Sequence, residues 1–265
     1  MGQGSDTAMA QIAGEVLALP AEEVQVVHSD TDVTPFDMAT LGSRSLFHMG
    51  NAVRMAAEDA RNKLRLLREE MKLPENCKTA EIFKKKYGMS AGSVVGSGSF
   101  LPGYTPPDAN GLTDNATPFW MVGASGVEVE VDTETGRVRV TRLVNVADVG
   151  TPINPKIVET QLSGAAIMQL GFTLSEKMVF DGEGQLRNAS LAEYKIPGLL
   201  DLPAEIVSEA VSAEQQTGPF GAKGVGETGT FGVSPAVANA VHDAVGVRLT
   251  SLPLSAEAVF EALQK

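Results

Sequence analysis

The chain has 265 residues, 43% hydrophobic and 5% aromatic, and its 21 Lys and Arg against 33 Asp and Glu give a net charge of −12. That is enough apolar residue for a packed core and enough length for one large domain or two modest lobes. The acidic balance argues against a nucleic-acid partner, because phosphate contacts need clustered Lys and Arg. A single cysteine leaves no disulfide framework and no thiolate-built metal site. No apolar run reaches the roughly 18 residues of a membrane span, and MGQGSDTAMAQ lacks the features of a signal peptide, so a cytoplasmic location is expected.

Gly2-Gln3-Gly4 reads as a tight loop, and Ser5, Asp6 and Thr7 offer side-chain caps for a helix over about 7–17. A glycine loop at residue two is an unusual opening, because termini fray; a strand supplied from another chain, or a shortened chain, is expected. Residues 23–28 alternate like a half-buried strand, and 29–44 read as loop. A long helix follows over about 45–72, with Phe47, Val53, Ala56, Ala57, Ala60, Leu64 and Leu67 on its apolar stripe. A short helix is expected at 79–87, then an irregular Gly, Ser and Pro-rich connection at 91–118. The period then changes to two: strands at 127–131 and 137–140, the second extending toward Ala147, flank a turn at 132–136. Asn154-Pro155 opens a helix to about residue 170. A hairpin is expected near 182–184, a strand at 205–211, a helix at 234–245 capped at Ser234-Pro235, a strand at 247–252 and a last helix at 255–264. Glycine loop, capped helix and short strand thus recur at 2–28 and 221–252, which gives two related α/β lobes, each aiming a helix N-terminus at something anionic.

Residues 218–232, GPFGAKGVGETGTFG, are the richest stretch. They contain GxGxxG in Gly224, Gly226 and Gly229, but no apolar strand precedes it and no helix opens at it, as a dinucleotide fingerprint needs. Glycines let a backbone pass close to a bulky ligand; Lys223 adds a cation, and Glu227 a carboxylate that desolvation among small neighbours would tune as a base. The same pattern also describes a long surface loop with an ordinary Lys and Glu. Gly42-Ser43-Arg44-Ser45, ahead of the long helix, suits a phosphate, or is a Ser cap beside an incidental Arg. Gln3 suits the amide edges of a heterocycle, or sits in a plain turn. Gln161, near Gly164, reaches a ligand or lets helices pack closely. His28, His48 and His242 show no ligand spacing, so no side-chain metal site is expected.

Four segments occur in a telling order: Gly2-Gln3-Gly4, Gly42–Ser45, DVGTPINPKIVETQLSGA at 148–165 and GAKGVGE at 221–227. In them the sequence resembles the molybdenum hydroxylases, the xanthine dehydrogenase and aldehyde oxidoreductase family. The likeness covers nearly the whole chain and looks like the C-terminal part of the large, molybdopterin-binding subunit. It implies an α+β fold of two α/β lobes with mixed sheets and flanking helices. One lobe would span 1–120, with an irregular segment at 88–120, and the other 121–265, carrying the catalytic loop. The resemblance also implies molybdopterin, as a cytosine dinucleotide carrying Mo. Gly2, Gln3, Gly4, Gly42, Ser43, Arg44 and Ser45 would grip it, Gln161 would contact the pterin, and Ala222, Lys223, Gly224, Val225 and Gly226 would lie along it. No direct protein ligand to the metal is implied. Glu227 matches the family's active-site base, for hydroxylation by water of an electron-poor carbon in an N-heterocycle or aldehyde. Whole large subunits are far longer, and their other half, the iron–sulfur clusters and the flavin are not in this sequence. The chain is therefore expected to act with an N-terminal molybdopterin-binding subunit, a 2Fe-2S subunit and a FAD subunit. A non-catalytic cofactor scaffold and a dinucleotide-binding module are the alternatives.

Overall fold

A computed structural model describes residues 1–27 and 30–265. The chain divides into two compact units, Met1–Trp120 with Glu214–Gly224, and Met121–Ala213 with Val225–Lys265.

The first unit is built on α1 (Ser5–Leu17), α2 (Ser45–Glu70) and α3 (Thr79–Tyr87). Met9, Ile12 and Val16 of α1 fall three and four residues apart, so they share one face, which is buried where α1 packs along α2 with Phe47 and Ala57. α3 buries Ile82 and Phe83 and stops at Gly88, whose left-handed backbone returns its N–H to the Lys84 carbonyl. The irregular stretch after α3 is held along α2. A Cβ on Gly96 or Gly98 would overlap the carbonyl oxygens of Ala56 and Ala52, so only glycine allows this approach. Asp59 fixes the same stretch by accepting from the Ser97 N–H at 2.9 Å and from Lys63 at 2.8 Å; these bonds hold its carboxyl below the usual carboxylate range. Phe100 and Phe119 pack on Phe47 at ring distances of 5.6 and 4.8 Å. Residues 214–224 join this core: buried Asn51 donates to the Phe47 and Thr217 carbonyls at 3.0 and 2.9 Å.

The second unit is a three-stranded sheet backed by helices. Its elements are β1 (Val122–Val131), β2 (Val138–Asp148), α4 (Pro155–Leu174), the single turn α5 (Leu191–Tyr194), β3 (Glu205–Val211), α6 (Val233–Val245) and α7 (Ala256–Leu263). β2 is central, antiparallel to β1 and parallel to β3. The register slips between Glu128 and Val129, so β2 points Val140 inward before the slip and Leu143, Asn145 and Ala147 after it. α4 and α6 cover the sheet; Leu143, Ala166, Leu170, Val233, Val237 and Val241 form the core between them. Asn154 caps α4 by accepting from the Ile157 N–H at 3.1 Å, with Pro155 in the first turn.

The class is α+β, as expected, but every described strand lies in the second unit. Of the strand expected at 23–28, residues 24–27 enter no sheet, and His28 lies outside the described residues. No described strand is available to ladder with it, and a lone extended segment has no partner for its backbone. The strand expected at 247–252 also fails to form: Val247 and Leu249 pack on the core, so their alternation records packing and not pairing. The recurring loop, helix and strand therefore stops at the helix both times. The hairpin near 182–184 shrinks to one bridge between Phe180 and Leu186. Two caps are corrected as well. α1 is entered from Gly4, with no side-chain cap, and α6 begins at Val233, leaving the Ser234 hydroxyl 2.6 Å from both Gln169 Nε2 and Thr173 Oγ1.

Candidate functional site

In the first unit the candidate residues lie at the starts of two helices. Gly2 and Gly4 both take φ of +84°, which turns the chain into α1, and Gln3 donates to Ser5 Oγ at 3.2 Å. Gly42 and Ser43 both take φ of +55°, and Arg44 opens α2. Ser45 does not cap α2; its hydroxyl donates to Thr40 Oγ1 at 2.8 Å. Neither N-cap residue, Gly4 or Arg44, caps its helix with a side chain, and helix N-termini of this kind attract anions. A Cβ added at Gly2 or Gly42 would meet open space, so these turns are glycine for their backbone and leave room beside it. The loop at 222–224 comes to the second of these turns: a Cβ on Gly224 would overlap the Ser43 carbonyl oxygen. Lys223 is 7% exposed, and its Nζ donates to the Trp120 carbonyl at 3.0 Å. That bond ties its ammonium to the segment before β1.

His48, in the first turn of α2, lies against Phe47 and Phe100 at 5.5 and 6.3 Å. Burial holds its imidazole below the ordinary value, partly offset by its hydrogen bond to the Arg44 carbonyl at 3.2 Å.

In the second unit the loop continues through Val225, Gly226 and Glu227. Val225 is buried with Ala147, Val149, Val158 and Leu162. Gly229 lies so close to α4 that a Cβ would sit 2.6 Å from the Leu162 carbonyl oxygen and 2.9 Å from Ala165 Cβ. Gln161 belongs to this same turn of α4; it is half-buried, and its amide makes no hydrogen bond among the described residues. Gly164 is exposed, with open space where a Cβ would be, so it does not serve close helix packing. Glu227 is exposed, which corrects the expected desolvation: this chain does not supply it. Sequence reasoning missed Asn145. It is 1% exposed, donates from Nδ2 to the Gly229 carbonyl at 2.9 Å and accepts from Ser125 Oγ at 3.0 Å. An amide at an inward register position of an apolar strand was the available signal.

Among the described residues no three His, Cys, Asp or Glu converge as metal ligands, and no helix is long and apolar enough to cross a membrane. Two uncapped helix N-termini, turns with space beside them and Arg44 fit an anionic, phosphate-bearing group.

The model of the molybdopterin cofactor-binding domain matches residues 1–203, and the chain belongs to that family. Over its whole length it is 34% identical to the probable hypoxanthine oxidase XdhD of Escherichia coli K12 and 31% identical to the 6-hydroxypseudooxynicotine dehydrogenase complex subunit gamma of Paenarthrobacter nicotinovorans. It covers 28% and 35% of those proteins. Among solved structures, the aldehyde oxidoreductase of Desulfovibrio desulfuricans superposes with a TM-score of 0.84 at 30% identity, over 98% of this chain and 28% of that one. The chain thus spans roughly a third of the length of the relatives it matches.

Proposed function

We propose that this chain is the molybdopterin-binding, base-carrying part of a molybdenum hydroxylase. It would act on an electron-poor carbon of an N-heterocycle or aldehyde, with water as the oxygen source. The observation that carries the reading is the pair of uncapped helix N-termini in a chain of this family. Backbone N–H groups at Gly2–Gly4 and Gly42–Ser45, with the Arg44 guanidinium, would hold the phosphate-bearing end of a cytosine dinucleotide. The Gln161 amide would meet the pterin, and the backbone of 222–226 would run beside it. When bound, the cofactor supplies the two-electron oxidation.

Glu227 is the proposed base: a carboxylate oxygen takes the proton as water is activated. Its loop is anchored through Gly229 to Asn145, so the carboxylate is carried by a fixed backbone. Its desolvation would come from sequence outside this chain. Exposed apolar side chains agree with burial in a larger assembly, with Met168 at 61% and Phe172 at 50% on α4. The partners would be the remaining molybdopterin-binding segment and 2Fe-2S and FAD subunits that carry electrons away, in the cytoplasm.

Glu227→Gln in the assembled complex tests this. Turnover is expected to fall by about a hundredfold or more, with molybdenum content and Tm unchanged. Retained turnover removes the base and leaves a cofactor scaffold. Absence of both molybdenum and cytosine nucleotide from the native complex removes the whole reading.

A further inference from the structure

We propose that Ser125 and Asn145 form a positioning pair, which fixes the loop of Glu227 against the Gln161 turn of α4. The pair matters to the reaction only where Glu227 is the base, so the inference rests on the functional reading above.

The two residues are directly opposed in the β1–β2 register, so their side chains leave the same face of the sheet. Both ends of the Asn145 amide are engaged. Its Oδ1 accepts from Ser125 Oγ at 3.0 Å; its Nδ2 donates to the Gly229 carbonyl at 2.9 Å and reaches the Leu162 carbonyl at 3.5 Å. With Oδ1 taken by the Ser125 hydroxyl, Nδ2 is the end turned to the two carbonyls. One amide thus joins the sheet, the loop that follows Glu227 and the neighbour of Gln161 on α4.

The same face of β1 holds the far end of the loop. A Cβ on Gly232 would overlap Ser125 Oγ, and a Cβ on Gly123, two residues before Ser125, would meet the Phe231 ring at 3.3 Å. The stretch between is folded on itself: the Thr230 N–H and hydroxyl donate to the Glu227 carbonyl at 3.0 and 2.8 Å. Glu227 therefore heads a turn that Ser125 touches at Gly232 and reaches through Asn145 at Gly229. Such bracing matters to a base, because a displacement of about 1 Å costs up to roughly a hundredfold in rate.

Ser125→Ala, which removes one oxygen, gives the test in the assembled complex. The Thr230 amide is expected to exchange its hydrogen roughly tenfold faster, while the amides of α3 keep their rates. Turnover per molybdenum should fall roughly tenfold at unchanged KM. The acid limb of its pH profile should move to lower pH, because a loosened carboxylate regains water. Ser125→Thr keeps the hydroxyl and should restore turnover and exchange. Unchanged exchange at Thr230, or unchanged turnover and acid limb, overturns this inference alone, provided that Glu227→Gln has lost turnover. A Ser125→Thr variant as slow as Ser125→Ala assigns the loss to packing and overturns it as well. Retained turnover in Glu227→Gln overturns the functional reading and the inference with it.

Discussion

In the first unit the candidate residues lie where α1 and α2 start, and what they offer is backbone: N–H groups, left-handed turns and a glycine pressed on a carbonyl. In the second unit the candidates are side chains, Gln161 on α4 and Glu227 on a loop pinned to the sheet by Asn145. Backbone donors at a helix end hold an anion whatever its identity, and a carboxylate on a braced loop moves a proton. The chain that links the two roles is short: the same glycine run leaves the first unit at Gly224 and enters the second at Val225.

Three substitutions separate these roles. Gly224→Ala should have the largest effect, because the new methyl overlaps the Ser43 carbonyl and one backbone must move. A loss of about 2–3 kcal/mol by urea unfolding is expected. An unchanged midpoint would mean that residues 42–43 and 224 are not in contact. Asn145→Ala strikes the second unit instead and leaves the buried Gly229 carbonyl unpaired, at a cost of about 2 kcal/mol. In the assembled complex its turnover should fall less than that of Glu227→Gln, because the carboxylate remains but its loop loosens. The smallest effect belongs to His48. Its folded-state value lies below the ordinary 6.5, so the native chain binds fewer protons than the unfolded one. The stability it contributes is present above the unfolded value and is lost as pH falls through both values. His48→Gln should therefore narrow the drop in Tm between about pH 7.5 and about pH 5.5.

Local chemistry carried much of the fold into the sequence. α3 was legible because Gly88 ends it, β3 because its seven residues lie between turn signals, and α4 because Asn154-Pro155 begins it. The failures at 24–27 and 247–252 share a cause: alternation reports which side chains are covered, while strand pairing needs a neighbour that periodicity does not reveal. The caps failed because hydroxyls at Ser45 and Ser234 found other partners, Thr40 in one case and Gln169 with Thr173 in the other. At the candidate site, the approach of Gly224 to Ser43 was hidden by 180 intervening positions. The hydrogen bond from Lys223 to the Trp120 carbonyl was hidden likewise, because the two residues are far apart in sequence.

The return of residues 214–224 to the first unit has a consequence for synthesis. As the chain leaves the ribosome, α1, α2 and α3 appear early, but Thr217, which accepts from Asn51, appears only after all three strands have been made. The first unit therefore cannot finish before most of the second exists, and its apolar surface stays open during that interval. Translation order thus makes the N-terminal helices the part of this chain with the longest need for shelter from aggregation.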